Sequence, residues 1–458
     1  MKILILGAGR VGTSVAENLV SEQNDITLID TDARRLAQLQ ERLDLRGVVG
    51  NGTHIDVLAE AGAADADLLI ACATSDETNL VACKIAKQVF NLPRRIARAR
   101  APAFLDHPEL MGEQGFCVDH LISPERSVTA YLESLIEYPE TLQVLEFAKG
   151  RVALAAVRVG PGSPLVGQAV ETLHKRIPDI DSRIVAIYRQ DKPLIPSGAT
   201  VVEAGDELFC LADARHLRRV VAELVPTVRP VRRVMIAGGG NIGARLAREL
   251  GGNYEIKLIE VDQARCELLA SQLPARTLVL NGDATDEDLL DDENVGDMDM
   301  FLALTNDDEN NIMSSLLAKR MGARRVAALI GRKAYGDLME GGRIDVAISP
   351  SQATIGELLR HVRRGDIVVA HQLRRGAAEA IEAVAHGDRK HSKVVGRKIE
   401  EISLPKGSII GALVRGEDVL MAHHDTVIEP EDHVIVFVTN SRLISKVEQL
   451  FQVSASFF

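Results

Sequence analysis

The chain has 458 residues, of which 46% are hydrophobic and 26% charged. That length predicts about three domains, and the composition excludes a single small module and wholesale disorder. A net charge of -12, with 3% aromatics and no Trp, opposes a general nucleic-acid or anionic-lipid surface and any stacking platform for single strands.

The five cysteines, Cys72, Cys83, Cys117, Cys210 and Cys266, are odd in number, never spaced C-x-x-C and mostly set in apolar segments. They are expected to be reduced core residues, with no metal site and no disulfide. The longest purely apolar runs are about six residues, where about 18 are needed to span a bilayer, and Met1-Lys2 leads straight into a strand. The expectation is a cytoplasmic chain that inserts no segment of its own and meets a membrane only through a partner.

The first element is a strand ending at Leu6, followed by Gly7-Ala8-Gly9-Arg10-Val11-Gly12 where strand meets helix. Glycines at this spacing allow a tight turn, close approach of backbone to a pyrophosphate and close helix–strand packing, while the helix N-terminus offers N–H groups to phosphate. A second strand, Ile26 to Asp30, ends on a carboxylate suited to both hydroxyls of a ribose. Asp30 repels a 2′-phosphate and so favours NAD(H) over NADP(H), with Arg34 and Arg35 close by. Asn51-Gly52-Thr53 follows the third strand and Ala73-Thr74-Ser75 the fourth (68 to 73), before a helix from about 77 to 90. Small polar side chains there suit adenine, pyrophosphate and the second ribose. Arg98, in the basic run Arg94 to Arg100, is placed to reach phosphate, although solvation and inter-domain pairing explain such a run equally well.

Ser123-Pro124 opens a further helix, with Ser as N-cap and Pro at the first position. Its apolar stripe, Val128, Leu132, Leu135 and Ile136, either packs on its own domain or crosses to a neighbouring subunit. Short β-branched runs follow, 152 to 159, 184 to 188 and 208 to 212, with a helix near 215 to 225, which read as a small α+β module. Pro226 to Arg233, holding two prolines and three arginines, is the clearest linker.

The whole pattern then returns. Residues 234 to 243 repeat 3 to 12, with Gly238-Gly239-Gly240-Asn241-Ile242-Gly243; Glu260 answers Asp30, Asp283-Ala284-Thr285 answers Asn51-Gly52-Thr53, and Thr305-Asn306-Asp307 answers Thr74-Ser75-Asp76. Ala328 is read at the place of Arg98. Ser349-Pro350 answers Ser123-Pro124, with Ile355, Leu358, Leu359 and Val362 as its stripe, and a second α+β module closes the chain. Alternating strands and helices predict an α/β fold: two doubly wound, parallel-sheet domains of Rossmann type, each followed by a small α+β module. The expected boundaries are 1–142, 143–227, 232–367 and 368–458.

No catalytic constellation accompanies the loops. Tyr188 and Lys192 have the spacing of a catalytic pair but sit on a strand running into Pro193, and His423-His424-Asp425 reads as a solvent-facing turn rather than a metal site. No G-x-S-x-G, P-loop or H-E-x-x-H occurs. Two readings remain: a ligand-sensing regulatory subunit, or an NAD-dependent dehydrogenase with a duplicated cofactor domain, which lacks a well-placed acid or base.

With these motifs in the order described, the chain resembles, over essentially its whole length, the TrkA family of regulatory subunits of Trk potassium uptake systems, built from tandem RCK (KTN) units. The resemblance implies no enzyme activity. It implies a homo-oligomeric ring, a dimer of dimers, peripheral on the cytoplasmic face of the inner membrane and bound to an integral potassium-translocating partner. It also implies a response to NAD or NADH, or to ATP or ADP. It assigns Gly7 to Val11, Asp30, Asn51, Ala73, Thr74 and Arg98 to one nucleotide site, and Gly238 to Ile242, Glu260, Asp283 and Thr305 to the other. Asn51-Gly52 departs from the more usual Asp-Ala of the second copy.

Overall fold

The computed structural model describes residues 1–20, 24–225, 229–332, 334–335, 343–362, 367–373 and 377–452. The chain divides into two compact units, Met1–Ser127 with Pro350–Val362, and Val128–Ser349 with Arg363–Phe458.

In the first unit the strands are β1 (Lys2–Leu6), β2 (Asp25–Asp30), β3 (Arg46–Val49), β4 (Leu68–Ala71), β5 (Arg94–Arg98) and β6 (His120–Ile122). They form one sheet in the order β3-β2-β1-β4-β5-β6, with every pair parallel. The helices between them are α1 (Arg10–Val20), α2 (Ala33–Gln40), α3 (Ile55–Glu60), α4 (Asp76–Phe90) and α5 (Pro102–Asp106). Strands flanked by helices on both faces are apolar throughout; β4 is buried at all of its positions. The order reverses between β1 and β4, which opens a crevice at the carboxyl ends of the strands.

The helix α6 (Pro124–Glu137) starts as its sequence demands, with Ser123 Oγ accepting from the Arg126 N–H at 3.3 Å. Residues from Val128 onward belong to the second unit, and Val128, Leu132, Leu135 and Ile136 are all buried. Its counterpart, the helix Pro350–Val362, belongs to the first unit. There Ile355, Leu358 and Val362 share a core with Val15, Leu19 and Ile122, while the side chain of Leu359 lies outside the described residues. The stripe thus does neither of the two things expected of it: it crosses, but to the other half of its own chain. The apolar face of α1 is completed by a helix more than 300 residues further along, a long-range contact that spacing cannot reveal.

In the second unit, β7 (Gln143–Phe147), β8 (Val152–Arg158), β9 (Ser182–Arg189), β10 (Lys192–Leu194) and β11 (Glu207–Asp213) form a five-stranded sheet in the order β10-β9-β11-β8-β7, with the helices α7 (Thr172–Arg176) and α8 (Leu217–Leu224). Tyr188 and Lys192 fall on the two arms of the β9–β10 hairpin, so no helix places them on one face. Of the linker, residues 226–228 lie outside the described residues. A second parallel sheet follows, of β12 (Arg233–Ala237), β13 (Glu255–Glu260), β14 (Thr277–Asn281), β15 (Met300–Ala303), β16 (Val326–Leu329) and β17 (Val346–Ile348), in the order β14-β13-β12-β15-β16-β17. Its helices are α9 (Asn241–Leu250), α10 (Gln263–Gln272), α11 (Glu287–Asp292) and α12 (Asp308–Arg320). The last sheet, β18 (Ile367–Leu373), β19 (Ala378–Val384), β20 (Ser408–Arg415), β21 (Asp418–Met421) and β22 (His433–Val438), runs β18-β19-β22-β20-β21.

The two five-stranded sheets share one core, in which Phe147, Phe209 and Leu211 meet Phe437, Ile435 and Ala412. In each sheet a buried aspartate closes a loop. Asp206 accepts from Arg189 Nε at 2.9 Å and Nη2 at 2.8 Å, and Asp432 accepts from Arg415 at the same two distances. All five cysteines are buried and free. No helix of the described residues is long and apolar enough to cross a membrane.

Candidate functional site

The crevice of the first unit is built from backbone outward. Gly7 adopts φ +103, and a Cβ there would stand 2.8 Å from Cα and N of Ala73; a Cβ on Gly12 would lie 1.8 Å from the Gly7 carbonyl oxygen. Only glycine allows that approach, whereas Gly9 faces open space. The Ala8 N–H donates to Asp30 Oδ2 at 2.6 Å and the Asp32 N–H to Oδ1 at 2.8 Å. The carboxylate is thereby fixed at the end of β2, beside the loop. Arg10, exposed, and Val11, buried, open α1. The Gly50 N–H donates to the Asp30 carbonyl at 2.9 Å, which seats the Asn51 turn, where Asn51 Oδ1 accepts from Thr53 N and Oγ1 at 3.0 and 2.9 Å. At the end of β5, Arg98 is 7% exposed, and its Nη2 donates to the Ala73 carbonyl at 2.8 Å. Burial holds the guanidinium below its ordinary value, with Arg100 acting the same way and Cys72, Glu125 and Asp76 opposing. Thr74 is exposed at the rim.

The second crevice repeats this design. Gly238 has φ +107, Gly243 could carry no Cβ without striking the Gly238 carbonyl at 2.0 Å, and Gly240 is open. The Gly239 N–H donates to Glu260 Oε2 at 2.7 Å and the Asp262 N–H to Oε1 at 3.0 Å. Asn241 and Ile242 open α9. Asp283 Oδ1 accepts from Thr285 N and Oγ1, both at 2.8 Å. The expected residues of each half therefore converge on one end of one sheet.

One assignment needs correction. Ala328 pairs with Ala303 as Ala97 pairs with Ala71, so the residue at the place of Arg98 is Leu329. The same shift applies one loop earlier: Ala73, not Thr74, is the mate of Thr305. Two asparagines that sequence reading missed settle the register. Asn79 Oδ1 accepts from the Ala73 N–H at 2.8 Å, and its Nδ2 donates to the carbonyls of Ala73 and Arg98 at 3.1 and 2.9 Å. Asn311 does the same for Thr305 N–H at 2.9 Å and for the carbonyls of Thr305 and Leu329, both at 2.9 Å. The signal was present in the sequence, since Asp76-Glu77-Thr78-Asn79 returns as Asp308-Glu309-Asn310-Asn311.

A hollow of about 710 Å³ lies at the opposite end of the first sheet, lined by Met1, Lys2, Asp25 and Asp67 among others; it is remote from the glycine loop. His423 and His424 are exposed in a turn. Among the described residues no three His, Cys, Asp or Glu side chains are placed to hold a metal ion.

Comparison with known proteins adds two family matches, the TrkA-N domain over residues 3–124 and 234–350 and the TrkA-C domain over residues 154–225 and 389–452. The Trk system potassium uptake protein TrkA of Vibrio alginolyticus is 56% identical over 458 residues, covering 100% of both chains. In fold, the chain is similar to the crystal structure of the GsuK RCK domain, with TM-score 0.61 at 18% identity over 98% of this chain and 94% of that one. It is similar also to the GsuK channel bound to NAD, with TM-score 0.61 at 19% identity over 98% of this chain and 78% of that one.

Proposed function

This chain belongs to the TrkA family, and on that premise we propose that it is the cytoplasmic regulatory subunit of a potassium uptake system, binding NAD(H) or other adenine nucleotides in its two crevices and gating an integral membrane potassium-translocating partner. The observation that carries the reading is the glycine loop locked to a carboxylate in both halves, Ala8 on Asp30 and Gly239 on Glu260. Each leaves an open position, Gly9 or Gly240, over a helix N-terminus, where backbone N–H groups meet phosphate. The residues involved are Gly7 to Gly12, Asp30, Asn51, Thr53, Ala73, Thr74 and Arg98 in the first crevice, and Gly238 to Gly243, Glu260, Asp283 and Thr305 in the second. The chain acts by binding, not as a dehydrogenase. It assembles with copies of itself into a ring on the cytoplasmic face of the membrane, and a nucleotide shifts the partner only in so far as it binds one arrangement of the ring better than another.

Potassium flux through the partner, reconstituted in vesicles with the purified chain, tests this. Allosteric couplings of about 1 to 3 kcal/mol predict that a saturating nucleotide changes flux about 5- to 150-fold. Asp30→Ala together with Glu260→Ala should abolish the response. Flux indifferent to the chain, or cofactor turnover with a small substrate, refutes the proposal.

A further inference from the structure

Matching geometry places the two crevices in register, and the charges at matched positions differ. Gly7 and Gly238 bond alike to Ile29 and Ile259, which makes Arg10, at the start of α1, the mate of Asn241, at the start of α9. Asn51 and Asp283 both accept from a threonine two residues on. Ser75 and Asp307 both cap the following helix. Arg98 and Leu329 both offer their carbonyl to the buried asparagine. Each of these four differences moves the second crevice one unit toward negative charge, whereas Glu125, whose charge acts on Arg98, answers to Ser351 and moves it one unit back. Arg100 and Ala101 answer to Gly331 and Arg332, whose N–H groups meet Asp308 as theirs meet Asp76, and that pair cancels. Arg332 is already held by Glu309 at 2.6 Å and lies over the Tyr335 ring at 5.0 Å. Arg265, bonded to the Gly239 carbonyl at 3.0 Å, stands where the first half has Arg35, so it makes no difference between them.

We propose that the first crevice selects an adenine ligand by its phosphates, whereas the second accepts the adenosine part with no gain from added phosphate. The proposal deepens the nucleotide-binding reading and rests on it. Arg98 is the decisive residue. It is buried, its Nε has no partner, and a guanidinium nitrogen left so is satisfied when an anionic oxygen arrives. At the same place Leu329, 5% exposed, offers nothing to an anion. Asp283 and Asp307, both at the crevice rim, oppose one.

The test is calorimetric titration of the full chain with adenosine, AMP, ADP and ATP at two salt concentrations. Glu260→Ala leaves the first crevice to be read and Asp30→Ala the second. In the first, affinity should rise at least about tenfold from AMP to ADP and fall with salt, as charge-assisted contacts do. In the second, all four ligands should bind within about threefold of one another. Arg98→Leu should flatten the phosphate dependence of the first, Arg98→Lys should keep part of it, and Asp283→Asn should introduce some into the second. A steep phosphate dependence in both crevices, an unchanged profile in Arg98→Leu, or a second crevice that refuses adenosine overturns the asymmetry. No binding by the wild-type chain of any of the four ligands, nor of NAD or NADH titrated alongside them, removes the nucleotide reading itself.

Discussion

One side chain, Asn79, satisfies an N–H and two carbonyls of the strand ends that form the first crevice, and Asn311 does the same in the second. Asn79 is fully buried, so replacing it with Ala strands the Ala73 N–H and the Arg98 carbonyl, while the Ala73 carbonyl keeps its bond from Arg98 Nη2. At about 1 kcal/mol or more per unsatisfied group, Asn79→Ala should cost about 2 kcal/mol. The loss should appear in the urea transition of the first unit and as faster hydrogen exchange at Ala73, with Asn311→Ala acting on Thr305 instead. Equal exchange at Ala73 in both proteins would show that the asparagine does not hold the loop. A lone asparagine inside a helix reads as ordinary; only the four-residue repeat distinguishes it. The glycines and Asp30 were legible because geometry demands their types. Arg98 was legible as a cation at the end of its strand, beside the crevice, but its mate was misplaced by one residue, because Ala327-Ala328-Leu329 offers no polar landmark.

At the scale of elements, α6 carries Glu133 into the second unit, where its carboxyl meets Glu249 on α9, and Arg245 bonds Glu249 at 3.0 Å. Burial, followed by the bonded Glu249 carboxyl, pushes Glu133 up to about 7, with Arg245 opposing. The sign follows from linkage: a carboxyl raised in the folded state binds more protons there than in the unfolded chain. Its contribution is full below the ordinary value of 4.5 and is lost as pH rises through about 7. Glu133→Gln keeps the neutral form at every pH. It should match wild type near pH 4 and exceed it at pH 8 by about 1 kcal/mol once solvent screening is allowed for, or about 2 to 4 °C in melting temperature. A melting difference that stays constant between those pH values would deny the shared proton. The helix itself was legible from its Ser-Pro start and its stripe. Which partner the stripe meets was not, because amphipathicity reports that a face is buried and never against what.

At the scale of the whole molecule, the duplication is not two independent halves in series. Sequence reading places a linker near residue 230, and cutting there looks harmless. Yet Ile355, Leu358 and Val362 complete the core over α1, and at about 2 kcal/mol for each large apolar side chain their removal costs about 6 kcal/mol, an upper bound. Such a loss rivals the stability of a whole domain. A fragment of residues 1–225 should therefore expose the face of α1 lined by Val15 and Leu19. It should aggregate, or pair with a second copy that offers its own Ser-Pro helix. The complementary fragment 226–458, expressed with it, should restore a soluble species whose mass by light scattering matches the intact assembly. If fragment 1–225 alone is monomeric, with the melting temperature of the first unit in the intact chain, then the helix Pro350–Val362 adds nothing to that core. In that case the two halves fold separately after all. The shared core of the two five-stranded sheets, where a Cβ on Gly411 would stand 2.3 Å from Leu211 Cδ1, gives a second join between sequence halves. Gly411→Val should loosen that join by about 1 to 3 kcal/mol through overpacking, read in urea as an earlier transition of the second unit with the first unit's transition unmoved.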